Sequence, residues 1–330
     1  MVDTRSWLLA AALLALTTAA PATVKQDDAL DAGRRAYESS EYEKAVQVLQ
    51  VAAAKDPQNA EIQFLLTKAY YEMQEHDAGV TSAEKAVAID PKSSLYHEWL
   101  GRAYGEKASH ASMFSALMLA RKTHKEFETA VQLDERNFSA AQALVEFYCS
   151  APGIVGGGED KARPEIEKIA ALDAAEGHYA AGNCRRQKKE FSAADSEFTL
   201  ALQSNPKSPG LIFDIGDYAM KHSQAERLEE IADAGEKVAP ADPRGKFYRA
   251  VGHILKNEKP EEAERLLREY LKRAPRHSDY PRQAAAHEWL GRLFERQGDK
   301  QSARKEYEAM LGLEPKNKSA REALKRLEKN

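Results

Sequence analysis

The sequence predicts an all-α chain, a solenoid of about eight helical hairpins finished by a C-terminal capping helix. Three observations predict it: proline recurs at an interval near 34 residues, small residues recur at fixed places within each interval, and the composition is that of amphipathic helices. Asp56-Pro57 and Asp90-Pro91 lie 34 residues apart, as do Pro206 and Pro240, with Pro275 following after 35 and Pro315 after 40. Charged residues of mixed sign make up 30% of the chain and aromatic residues 8%, which suits helices with one apolar stripe and a solvated outer face. A length of 330 residues is long for one globular core but natural for stacked units, each of which buries its core against its neighbours.

At the start of the chain, Arg5 precedes an apolar stretch over residues 7–16, and small residues then lead to Ala20-Pro21-Ala22. This is the pattern of a secretory signal over residues 1–22 with cleavage after Ala22, and it predicts a periplasmic or secreted mature chain. The apolar run is short for a membrane span, and no later window approaches about 18 uncharged apolar residues, so no span is expected after cleavage. An uncleaved signal that anchors an envelope assembly factor is the competing expectation. Net charge is −4, which gives no global attraction to nucleic acid.

With each recurring proline at the thirty-second position, the solenoid occupies residues 23–316 in units near 26–59, 60–93, 94–137, 138–174, 175–208, 209–243, 244–277 and 284–317, and residues 317–330 form the cap. Small residues stand where two helices must approach to about 8–10 Å: Gly33, Ala45 and Ala52 in the first unit, Gly182, Ala194 and Ala201 in the fifth, Gly291 and Ala303 in the last. Large apolar partners fill between them at i, i+4 spacing, as in Leu66 and Tyr70, Leu100 and Tyr104, Leu144 and Tyr148, or Leu290 and Phe294. The hexapeptide His97-Glu98-Trp99-Leu100-Gly101-Arg102 recurs unchanged as His287-Glu288-Trp289-Leu290-Gly291-Arg292, in the same register of its unit.

These features resemble the tetratricopeptide repeat (TPR) family over residues 26–317. The resemblance implies a right-handed superhelix, a non-catalytic scaffold, and a concave groove lined by positions 2, 5, 9, 12 and 13 of each first helix. Carried onto this chain, it assigns the groove Arg34, Lys68 and Arg102 at one cation per repeat, with Tyr37, Phe64 and Tyr71 beside them. The fifth and sixth units add Tyr179, Asn183, Arg186 and Phe213. Cations interleaved with aromatic rings suit a protein partner or extended peptide with acidic side chains or a free carboxylate. Ordinary solvated charges on a curved face are the plainer reading. Position 5 of the first two units is Leu30 and Phe64, so the chaperone-tail clamp of the family is not reproduced.

Two units depart from the period. The third has about ten extra residues within 105–122, including Met113, Phe114, Leu117 and Met118; the fourth has about five, within 149–158. The next helix is expected no earlier than about Ala162, because Pro164 prefers a first turn. Both additions lengthen the same turn and are expected to form one feature, in which Met113, Phe114, Leu117 and Met118 fold back against Phe147, Tyr148 or Ile154 or wait for a partner. An alternative is that they build a small-ligand or enzyme pocket. The glycines of residues 153–158 lack the Lys-Ser/Thr pair and the preceding strand of a phosphate loop, so no nucleotide or other cofactor is expected. His97, His178 and His287 share the fourth position of their units, a packing position. His110 and His124 flank the third-unit addition without metal-ligand spacing, and no metal site is expected. Cys149 and Cys184 fall late on the first helices of neighbouring units, where they either pair or pack as two isolated thiols.

Overall fold

The computed structural model describes residues 26–329; the expected signal over residues 1–22 lies outside them. Among the described residues there are seventeen α-helices, one short 3-10 helix and no strand. The first four hairpins are α1 Gln26–Glu38 with α2 Tyr42–Lys55, α3 Ala60–Glu72 with α4 His76–Ile89, α5 Ser94–Ser109 with α6 Met113–Leu133, and α7 Phe138–Ser150 with α8 Glu159–Leu172. The next four are α9 Ala174–Gln187 with α10 Phe191–Gln203, α11 Pro209–Lys221 with α12 Ala225–Val238, α13 Arg244–Lys256 with α14 Pro260–Arg273, and α15 Gln283–Gln297 with α16 Lys300–Leu313. The last helix, α17, spans Lys318–Lys329. The fold is an all-α solenoid.

Local chemistry repeats with the hairpins. Asn59, Ser93, Asn137, Asp173 and Ser208 each accept a backbone N–H with the side chain at the start of a first helix, which satisfies a donor that the helix leaves unpaired. Five hairpins reverse through a single residue in the left-handed region, Ser40, Gln74, Lys189, Ser223 or Gly298, and the seventh through two, Asn257 and Lys259. The third and fourth lack this short turn because they carry the additions.

In four hairpins the contact between the two helices depends on a glycine at the eighth position. A Cβ at Gly33 would lie 2.5 Å from Leu49, and one at Gly182 or Gly291 would lie 2.5 Å from the ring of Phe198 or Tyr307. At Gly101 the corresponding distance to the Phe127 ring is 2.6 Å. Interiors this dense have no room for another methyl group. The fourth-position histidines pack and also bond. His97 Nδ1 lies 2.6 Å from Glu126 Oε2, His178 Nδ1 2.8 Å from Glu197 Oε2, and His287 Nδ1 2.7 Å from Glu306 Oε2, so one histidine–glutamate link recurs in three units. The duplicated hexapeptide duplicates its geometry: Glu98 accepts from Arg102 and from Ser139 of α7, as Glu288 accepts from Arg292 and from Ser319 of α17. The capping helix thus receives the contact that a following repeat would make.

The additions differ from expectation in form. In the third unit the extra residues lengthen helices rather than a loop, giving α5 16 residues and α6 21. Helix α8 begins at Glu159, not near Ala162, and Pro164 lies inside it. The Gly158 carbonyl starts this helix by accepting from Lys161 and Ala162. The N–H that Pro164 lacks would have met the carbonyl of Asp160, an exposed residue that water can satisfy. The 3-10 helix Gly153–Val155 rests against α6, where Arg121 donates to the Ile154 carbonyl at 3.3 Å and His124 stacks on Phe147 at 5.1 Å. The histidine, not the methionines, covers Phe147: Met113, Phe114, Met118 and Ile154 remain exposed. Cys149 and Cys184 are joined by a disulfide that ties α7 to α9, with Cα atoms 5.5 Å apart.

The solenoid curls far enough to meet itself. The segment 274–282, between α14 and α15, reaches the first two hairpins: Tyr42 Oη donates to the Arg276 carbonyl at 2.8 Å, and Arg276 N donates to Ser40 Oγ at 2.7 Å. Ser278 donates from N and Oγ to the two oxygens of Glu72, at 2.9 and 3.1 Å, and the His277 ring stacks on Tyr37 with centroids 4.8 Å apart.

Candidate functional site

This contact turns the concave face into a cavity of about 730 Å³, lined by first helices α1, α3, α5, α7, α9 and α11 and closed on one side by Ser278 and Asp279. A more open cleft of about 830 Å³ lies outside, between α2 and α4, with alanines and scattered polar residues as its walls. The concave cavity is the better candidate, because aromatic, charged and amide side chains from six repeats converge there.

Seven of the ten expected groove residues line it: Tyr37, Lys68, Tyr71, Arg102, Tyr179, Asn183 and Arg186. Three do not. Phe213 is core, stacked on Tyr248 at 5.8 Å beneath the Arg244 guanidinium, because the ring fills the space over Gly235. Arg34 pairs with Glu61 at 2.5 Å outside the cavity, and Phe64 packs behind Trp99 at 5.8 Å.

Of the cations expected at one per repeat, Arg34 and Arg102 are already paired with carboxylates. Arg102 Nε is held by Glu98 at 2.9 Å and Arg186 by Asp214 at 3.3 Å. The cavity carries Lys68, Arg102 and Arg186 against six carboxylates, those of Glu72, Glu98, Glu146, Glu176, Asp214 and Asp279. Lys68 is the exception. Its Nζ stands 4.6 Å from the Tyr37 ring centroid, 5.4 Å from Trp99 and 5.8 Å from Phe64, a cation held by aromatic faces. Burial lowers its pKa from the ordinary lysine value, although Asp279 and Glu72 pull the other way. Burial likewise raises Tyr179, and Asp214, which accepts its hydroxyl at 2.8 Å, adds to that shift.

Two amide side chains on the wall are incompletely satisfied. Gln142 donates to the Glu176 carbonyl at 2.8 Å, but its Oε1 is buried without a partner, and the same is true of Asn183 Oδ1. Asn183 is 7% exposed. A buried amide oxygen without a donor costs about 1–3 kcal/mol, and an N–H from a bound chain would remove that cost.

Sequence reasoning missed Trp99, Gln142, Glu176 and Asp214. Gln142 and Glu176 occupy positions 5 and 2 of their units, which the same register rule could have selected. The glycines of residues 153–158 do not form an anion cradle: the N–H groups of Val155, Gly156, Gly157 and Gly158 donate to Pro152, Gly153, Pro152 and Tyr148. No helix among the described residues is long and apolar enough to cross a membrane.

Two segments, residues 36–102 and 255–320, match family models described as tetratricopeptide repeat. No curated protein matches the chain in sequence. Similar solved structures include a thermophilic TPR protein of Thermus thermophilus, 18% identical, covering 56% of this chain and 94% of its own, with a TM-score of 0.45. A tetratricopeptide repeat protein of Parabacteroides merdae is 13% identical over 92% of this chain and 99% of its own, with a TM-score of 0.41. The Cut9-Hcn1 hetero-tetramer of the APC/C aligns over 93% of this chain and 57% of the matched chain at 13% identity and a TM-score of 0.49. Matched by the repeat's own family models near both ends, the chain carries tetratricopeptide repeats over residues 36–102 and 255–320.

Proposed function

We propose that the chain is an exported, non-catalytic scaffold that holds an extended segment of another protein inside the concave cavity. The observation that carries this reading is the pair of buried amide oxygens, Asn183 Oδ1 and Gln142 Oε1, on a wall shared by adjacent repeats. Main-chain N–H groups of an extended peptide are the donors that such a wall accepts. An acidic side chain of that peptide would be received at Lys68, since the neighbouring arginines already have carboxylate partners. The Cys149–Cys184 disulfide supports a periplasmic or secreted location, because such bonds persist in oxidising compartments.

A photo-crosslinking residue at Ala143, inside the cavity, is compared with one at exposed Lys85 on α4, in envelope extract of the producing cell. The reading expects a discrete adduct from position 143 alone, lost when Asn183→Ala and Gln142→Ala are added. Equal labelling from both positions, or an adduct indifferent to the two amides, would overturn it.

A further inference from the structure

The end of α5 carries an arrangement that the cavity does not use. An ordinary first helix such as α3 has 13 residues, and α5 with that length would stop at Glu106. Its extra turn continues to Ser109 and places His110 at the cap, beside the first residue of α4, His76. The two imidazole rings stack with centroids 4.4 Å apart and planes inclined by 15°. Glu106, one helical turn before His110, sets Oε1 3.5 Å from His110 Nε2. Ligand atoms from His76, Glu106 and His110 all lie within 4.8 Å of one another. Lys107 does not intrude on them: its ammonium pairs with Asp77 at 2.6 Å, a bridge that also fixes the start of α4 against the end of α5.

From this geometry we propose that His76, Glu106 and His110 bind one divalent transition-metal ion of the zinc type. Two imidazoles and a carboxylate are a ligand set that suits zinc, and they leave a fourth position for water or for a ligand from outside the chain. The three donors come from two hairpins, so the ion would pin the second repeat to the third beside the exposed Met113 and Phe114. The addition in the third unit, on this view, extends α5 to complete a site that a standard repeat cannot form.

Tag-free protein is titrated with Zn²⁺ in chelator-free buffer, and amide exchange of residues 105–112 is followed with and without the ion. The expected result is one saturable site per chain, slower exchange in that segment, and affinity at least about tenfold weaker in His76→Ala and in His110→Ala. Glu106→Gln is expected to weaken binding as well, whereas His222→Ala, remote from the cluster, leaves it unchanged. Circular dichroism of the metal-free variants, which change surface side chains, checks that each is folded. Absence of saturable binding, or wild-type affinity and exchange protection in both histidine variants, would overturn the proposal.

Discussion

Tyr42 Oη lies 2.9 Å from His277 Nδ1 although 235 residues separate them. The same hydroxyl donates to the Arg276 carbonyl, so one side chain of the first hairpin holds the segment that closes the concave face. Tyr42→Phe should cost this clasp about 1 kcal/mol, the usual net value of such a bond, and amide exchange within residues 274–282 should accelerate while α13 and α14 keep their protection.

The clasp should also weaken in mild acid. Burial lowers the pKa of His277, Lys68 lowers it further, and Asp279 and Glu38 oppose them. Tyr37, Tyr42 and Tyr280 are the other titratable rings beside it, and Glu72 is bonded to the adjacent Ser278. A histidine whose pKa is depressed in the closed state takes up its proton more readily when open. Closure is therefore fully favoured above the ordinary histidine pKa of about 6.5 and is lost as pH falls from there toward the depressed value. The raised pKa of Glu72, due first to burial, acts in the opposite direction. Comparison with His277→Gln isolates the histidine: protection of residues 274–282, taken relative to the intrinsic exchange rate at each pH, should fall between pH 7.5 and 6 in the wild type and change less in the variant.

The hairpins were legible in the sequence because most are marked locally, by a capping residue, a small eighth residue or a recurring proline. The clasp was only half legible. The 40-residue step from Pro275 to Pro315 announces extra chain, but its destination depends on how far eight hairpins curl, and no local pattern encodes that. Phe213 was misassigned for a related reason: its register position is right for the groove, yet Gly235 leaves a hole beneath it and the ring turns inward. The charge of the cavity was misread because the arginines' partners were not considered with them: Glu98 stands one turn before Arg102 on the same helix, and Asp214, the partner of Arg186, stands on the next repeat.

Glycine substitutions should separate close helix contact from intrinsic helix propensity. Gly182→Ala drives a methyl to 2.5 Å from the Phe198 ring, and overpacking of this kind costs about 1–3 kcal/mol. Gly312, in α16, has nothing within 4 Å of its Cβ position, and alanine there should stabilise by up to about 1 kcal/mol through helix propensity. Urea unfolding should shift its midpoint down for the first variant and up for the second. A downward shift for both would mean that α16 does not tolerate the methyl that its surroundings leave room for.

Lys68 and Arg102, cavity cations at the same position of successive repeats, should behave differently when neutralised. Arg102 holds Glu98, a carboxylate only 4% exposed whose other partner is Ser139, so Arg102→Met strands a buried charge and should destabilise by about 1–3 kcal/mol. Lys68 has aromatic faces as its close contacts and is itself disfavoured as a cation by burial, so Lys68→Met keeps the packing and should change stability by less than about 1 kcal/mol. Thermal melts of the two variants test the contrast directly. Should Lys68→Met prove the more damaging, the lysine would be a structural strut of the clasp through Asp279 and Glu72, and it could no longer be the position that a ligand's acidic group finds open.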